Sequence, residues 1–169
     1  MLPGRVFRSL AAAAVLAAAT SGCGFEPLHG ASVNAALSAV DVSPIQGGSG
    51  ELVYRALVER LHPAGKSSAP TYRLNVTLRS VSSPLIIDQS TFVRRYDVHL
   101  QAQYQLIEIS TGREVGGAER DAHANHGVIP NEIYGTLIGS HAALERAANV
   151  LANVIATDAA LLIRADQRG

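Results

Sequence analysis

The sequence predicts an α+β fold, a two-layer α/β sandwich in which a four-stranded sheet carries two helices on one face, in the order β-α-β-β-β-α. Three observations lead there. Two long segments alternate apolar and polar residues, the period of strands with one buried face. Two others repeat apolar residues every three to four positions, the period of amphipathic helices. The polar side of the alternating segments is built from Gln, Arg, Asn and Thr, so only one face of the sheet is covered.

Leu37 to Val42 fits a short first strand, which Pro44 and the glycine-rich Gly47-Gly-Ser-Gly50 bring to an end. From Glu51 to His62, Leu52, Val53, Ala56, Leu57 and Leu61 share one helical face, and Pro63 and Gly65 stop the helix; Ser49 is a candidate cap. Between Thr71 and Val81, Tyr72, Leu74, Val76 and Leu78 fall on one side of a second strand, opposite Arg73, Asn75, Thr77 and Arg79. A loop holding Pro84 is expected next. Tyr96, Val98, Leu100, Ala102, Tyr104 and Leu106 then mark the strongest strand, with Asp97, His99, Gln101, Gln103 and Gln105 on its wet side. Ser110-Thr-Gly-Arg113 supplies a turn, and Glu114 to Asn125 returns as a fourth, more polar strand. A long helix from Asn131 to Arg164 completes the domain. Leu137, Leu144, Ala148, Leu151, Ile155 and Leu162 form its apolar stripe, and Asn131 its expected cap.

Ahead of this domain, Arg5 and Arg8 precede an apolar run from Leu10 to Ala19, and no acidic residue occurs before Cys23. Residues 1–22 therefore read as an export signal. The run is about half the roughly 20 residues a bilayer-spanning helix needs. The tract Leu16-Ala-Ala-Ala-Thr-Ser-Gly-Cys23 resembles the lipobox of bacterial lipoproteins, with Thr20 where that pattern usually has leucine. The resemblance implies cleavage between Gly22 and Cys23, acylation of Cys23, including palmitate, and attachment to a membrane through this N-terminal lipid. Residues 23–36, with Pro27 and Gly30, suit a lipidated tether, leaving 37–169 as the folded domain. In the enteric sorting scheme an Asp after the cysteine retains a lipoprotein at the inner membrane; Gly24 stands there, so outer-membrane delivery is expected, on the periplasmic side.

Taking 22 residues from 169 leaves 147, enough for one core and not two. The signal holds two of the 14 basic residues and none of the 14 acidic ones, so the mature chain has a net charge of −2. Nucleic acid is thereby disfavoured as a partner. With Cys23 the only cysteine, neither an internal disulfide nor a cysteine-based zinc site can form.

Catalytic chemistry is not apparent. Asp121, His123 and His126 come nearest to a metal cluster, but on a strand His126 points away from the other two; solvated polar residues are the simpler reading, and no metal or cofactor is expected. Gly47-Gly-Ser-Gly50 lacks the lysine of a phosphate-binding loop, and no G-x-S-x-G nucleophile elbow occurs. Glu108, Glu114, Glu119 and Asp121 read as a polar rim rather than an acid–base pair. Arg73, Arg79, Arg94 and Arg95 include forks suited to phosphate, or else are ordinary surface arginines paired with Asp88 or Asp97.

The mature opening Cys23-Gly-Phe-Glu-Pro-Leu-His-Gly30 resembles the Cys-Gly-Phe-x-Pro-Leu-Tyr-Gly opening of the lipopolysaccharide-assembly lipoproteins of the LptE family in their alphaproteobacterial form, with His29 in place of tyrosine. Arg95-Tyr96, Tyr104-x-Leu106, Thr111-Gly112 and the alanine-rich final helix add to the likeness. The resemblance implies a two-layer α/β sandwich. It also implies a non-enzymatic outer-membrane lipoprotein that binds and plugs the LptD β-barrel and helps move lipopolysaccharide to the outer leaflet. Lipopolysaccharide binding carries over to Arg79, Arg94 and Arg95. The rival reading is a periplasmic-facing lipoprotein module that holds a small apolar or lipid ligand between sheet and helices.

Overall fold

The computed structural model describes residues 36–63, 65–86, 94–128 and 132–168, without the side chains of Ile86 and Arg94. The export signal, Cys23 and most of the tether lie outside the described residues. Six elements follow in chain order: β1 (Val40–Val42), α1 (Gly50–Leu61), β2 (Tyr72–Ile86), β3 (Arg94–Glu108), β4 (Glu114–Val128) and α2 (Ile133–Asp166). The expected order β-α-β-β-β-α is observed.

The strands form one mixed sheet in the order β1-β2-β3-β4, with β1 parallel to β2 and the rest antiparallel. Register places Leu74 opposite Leu106, Val76 opposite Tyr104 and Leu100 opposite Ala122, so the apolar sides of three strands share one face. That face and both helices enclose a single cluster of buried residues, including Val53, Leu57, Leu100, Leu151 and Ile155. Seven of the ten buried residues of α2 are alanines, which lets the helix backbone lie close to the sheet. Although α2 is long and apolar enough to cross a bilayer, half of its most apolar window is buried in the domain, as in a core helix.

Several boundaries differ from expectation. The first strand is only Val40–Val42, and residues 36–38 make a helical turn with Leu37 buried. Pro84 is not in a loop: β2 runs to Ile86, with Pro84 opposite Tyr96. The reason lies in topology, since β1 covers β2 only from Tyr72 to Leu74 and leaves the rest of that strand an edge. An edge tolerates a residue with no N–H to donate. Ser49 occupies the N-cap of α1 but makes no side-chain cap bond, and Glu132 rather than Asn131 precedes α2, also without one; Asn131 lies outside the described residues.

Two glycines have structural reasons. Gly112, at φ 70°, closes the β3–β4 turn, its N–H donating to the Glu108 carbonyl while the Glu108 N–H donates to the Arg113 carbonyl. At Gly50, a Cβ would sit 2.5 Å from the Ile45 carbonyl oxygen, so the chain entering α1 is tightly packed rather than a flexible entry.

Candidate functional site

Three places in the domain gather polar chemistry or exposed apolar surface. The first is the end of the sheet where β2 finishes and β3 begins. Arg95 is exposed there, opposite Leu85 on one side and Gly127 on the other. Gly139 of α2 lies over Gly127, so the first turns of α2 reach the same end. Those turns overhang the sheet: Ile133 is 88% exposed, Tyr134 76%, Leu137 63% and Ile138 54%, and Leu85 is also exposed. Leu137, expected in the buried stripe, is exposed instead. Tyr134, Leu137, Ile138 and Ala142, with His141 and Glu145 at its polar margin, line a shallow groove of about 460 Å³ along α2. Contiguous exposed apolar surface of this kind marks a contact site.

The arginines do not converge. Arg79 pairs with Gln101 in mid-sheet, six residues along β3 from Arg95 and therefore about 20 Å away at the strand rise of roughly 3.3 Å. Among the described residues neither Arg79 nor Arg95 has a salt-bridge partner. Asp97, once a candidate partner for them, instead accepts a hydrogen bond from His123. The backbone of Arg94 is in β3, opposite Ile86 and Val128.

The second place is the seam between sheet and α2. Asp158 accepts hydrogen bonds from Tyr104 Oη at 2.9 Å and Arg120 Nε at 2.8 Å. Two turns on, Asp166 accepts from Tyr72 Oη at 3.1 Å and Arg113 Nη2 at 2.6 Å. These carboxylates tie the C-terminal half of the helix to three strands. Burial, then the bond to Asp158, pushes the Tyr104 hydroxyl up to about 12. The Arg113 hydrogen bond, helped by Tyr72, holds Asp166 below the usual carboxylate value.

Opposite signs follow for stability. The Asp166 contribution is present above the ordinary carboxylate value and lost as pH falls through the lowered one; the Tyr104 contribution is full below 10 and lost as pH rises toward 12. Urea unfolding from pH 9 to 12 should show a loss attributable to Tyr104 of up to about 2 kcal/mol. Tyr104→Phe should flatten that part of the profile; an unchanged slope would refute the assignment.

The third place is the open face of the sheet. His99 on β3 faces His123 on β4, and their rings stack at 3.9 Å with planes 12° apart. Asp121 Oδ2 lies 3.5 Å from His99 Nε2 and 3.3 Å from His123 Nε2, while His123 Nδ1 is 2.8 Å from Asp97 Oδ2. The Asp97 hydrogen bond, set against some desolvation, raises His123 above its ordinary value. His126, weighed with Asp121 and His123 from sequence, is on the helix side and stacks on Tyr96. Sequence reasoning missed His99 because spacing within β4 says nothing of which β3 residue stands opposite. Of the acidic residues singled out from sequence, Glu108 is held by Thr111 and Arg113, and Glu114 accepts from Gln105.

The family described as LptE, Lipopolysaccharide-assembly, matches residues 37–164. No curated protein matches the sequence. Among solved structures, a putative lipoprotein from Caulobacter crescentus CB15 superposes with a TM-score of 0.64 at 21% identity, covering 78% of this chain and 95% of that one. A minor lipoprotein from Acinetobacter baumannii gives a TM-score of 0.55 at 12% identity, covering 72% of this chain and 90% of the other. At these identities the two structures speak for the fold.

Proposed function

The chain belongs to the LptE lipopolysaccharide-assembly family, and from that premise we propose that it is an outer-membrane lipoprotein that assembles with the LptD β-barrel, plugs its lumen and assists delivery of lipopolysaccharide to the outer leaflet. Acyl chains on Cys23, exposed by cleavage after Gly22, hold it on the periplasmic side. The observation that carries this reading is the family match, which spans nearly the whole folded domain. The family's role is assembly rather than catalysis.

The surface supports it in two ways. The open sheet face presents Gln101, Gln103, Gln105, Asn75 and Thr77, the character of a body that faces the polar interior of a barrel. The same end of the sheet carries Arg95 opposite exposed Leu85 on the open face and the exposed apolar turns of α2 on the other, so guanidinium and apolar side chains flank one rim, as a phosphorylated, acylated lipid would require. Arg94 joins Arg95 in this proposal; Arg79 is too distant. The rival carrier of a small apolar ligand lacks support, because buried alanines and leucines fill the sheet–helix interface and the apolar groove lies outside it.

Arg94→Ala with Arg95→Ala should weaken lipopolysaccharide binding roughly tenfold, the scale of one charge-assisted contact, while circular dichroism stays unchanged. Arg79→Ala should leave binding as it is. Equal losses in both variants would move the lipid site from the sheet end to mid-sheet.

A further inference from the structure

The open sheet face carries a side-chain cluster to which the function proposed above assigns no role. One ring nitrogen each of His99 and His123 and a carboxylate oxygen of Asp121 lie within 4.8 Å of one another. We infer that His99, Asp121 and His123 form a binding site for a transition-metal dication of the Zn²⁺ or Cu²⁺ class, clamping β3 to β4.

The argument starts from proton placement. His123 Nδ1 donates to Asp97 Oδ2 at 2.8 Å, so in the neutral ring the Nε2 lone pair is directed at Asp121 Oδ2, 3.3 Å away. His99 Nε2 is shielded from solvent and has no hydrogen-bond partner, although Asp121 Oδ2 is only 3.5 Å off. A single proton on His123 Nε2 would bridge to Asp121 but leave the shielded His99 Nε2 without a partner. Two protons serve poorly, because both stacked rings would then be charged with their centroids 3.9 Å apart. One dication satisfies all three groups at once.

The donor set fits that class of ion. Two imidazoles and one carboxylate suit zinc and copper, whereas magnesium and calcium take oxygen ligands. Three protein ligands also leave zinc a fourth position for water or an anionic oxygen. Asp97 supplies the outer carboxylate that orients a ligating histidine through its other ring nitrogen. Strand geometry brings the three ligands together: His99 and His123 are directly opposed across the ladder, and Asp121 is two residues along β4 on the same face, so that turning one of the stacked rings about its side-chain bonds aims both Nε2 atoms at a shared ion. His123 and Asp121 are exposed, which leaves the ion a path in.

The test is titration of ZnCl₂ and CuCl₂ into the untagged full-length protein in detergent at pH 7.5, followed by calorimetry and by thermal unfolding. One equivalent of at least one ion should bind saturably and raise Tm. His99→Ala and His123→Ala, placed on different strands so that one misfolded variant does not decide the matter, should each weaken binding at least tenfold and remove the Tm rise. Asp97→Asn, a positioning change, should weaken it tenfold to a hundredfold. His126→Ala, on the opposite face, should bind as the unaltered protein does. Absence of saturable binding of both ions, the result for a pair that takes up only protons, would overturn the inference. So would binding unaffected by His99→Ala.

Discussion

Leu100→Ala is expected to destabilise the domain by about 3 kcal/mol, lowering the urea midpoint with little change in slope. Leu100 is fully buried in mid-β3, between Ser80 and Ala122 on the neighbouring strands. Truncation removes its apolar contacts and leaves a cavity. The helix lid cannot collapse into it, because its buried residues are mostly alanines with no reach to spare. Against a typical domain stability of about 5–15 kcal/mol, such a loss is a large share of the whole. Leu137→Ala, at an overhanging position 63% exposed, should cost under about 0.5 kcal/mol. Similar losses at both sites would mean that α2 does not overhang the sheet.

The second large effect belongs to Cys23. Cys23→Ala should reduce incorporation of labelled palmitate to background and separate the protein from a stable membrane anchor. Each buried methylene adds about 0.8 kcal/mol of membrane affinity, and one chain alone holds only marginally, so on the proposed reading, with several acyl chains on Cys23, its loss removes the anchor rather than weakening it. Undiminished label in the variant would place the lipid elsewhere and break the link between the N-terminal motif and the membrane. The core mutation and the anchor mutation should act independently: Leu100→Ala lowers stability without altering lipidation, and Cys23→Ala does the reverse.

Much of the fold was legible because strands and amphipathic helices leave periods in the chain. Tyr96 through Leu106 alternated by two, and the register puts their apolar members on one face against Leu74, Val76 and Ala122. What was not legible depended on where elements end relative to one another. Pro84 looked like a loop residue because the shortness of β1, which leaves β2 an edge, is not written near it. Leu137 kept the helical period, yet period carries no information about where the sheet beneath runs out. The same limit separated Arg79 from Arg95: sequence proximity across a supposed loop became a distance along a continuous strand. His99 is the sharpest case, since the partner of His123 is chosen by cross-strand register and not by spacing within β4. The family resemblance rested on an opening motif at Cys23 to Gly30 and on shorter matches such as Arg95-Tyr96 and Thr111-Gly112; the family match over residues 37–164 holds the shorter matches and lies beyond the opening motif.

The central proposal is that this protein works as part of a barrel complex. Its most direct test is mild detergent extraction of outer membranes, capture of the chain through a C-terminal tag and identification of what is retained. A large β-barrel protein held in equal amount, and still held by the double variant Arg94→Ala with Arg95→Ala, is the predicted result. A strictly monomeric protein in those extracts would contradict the account.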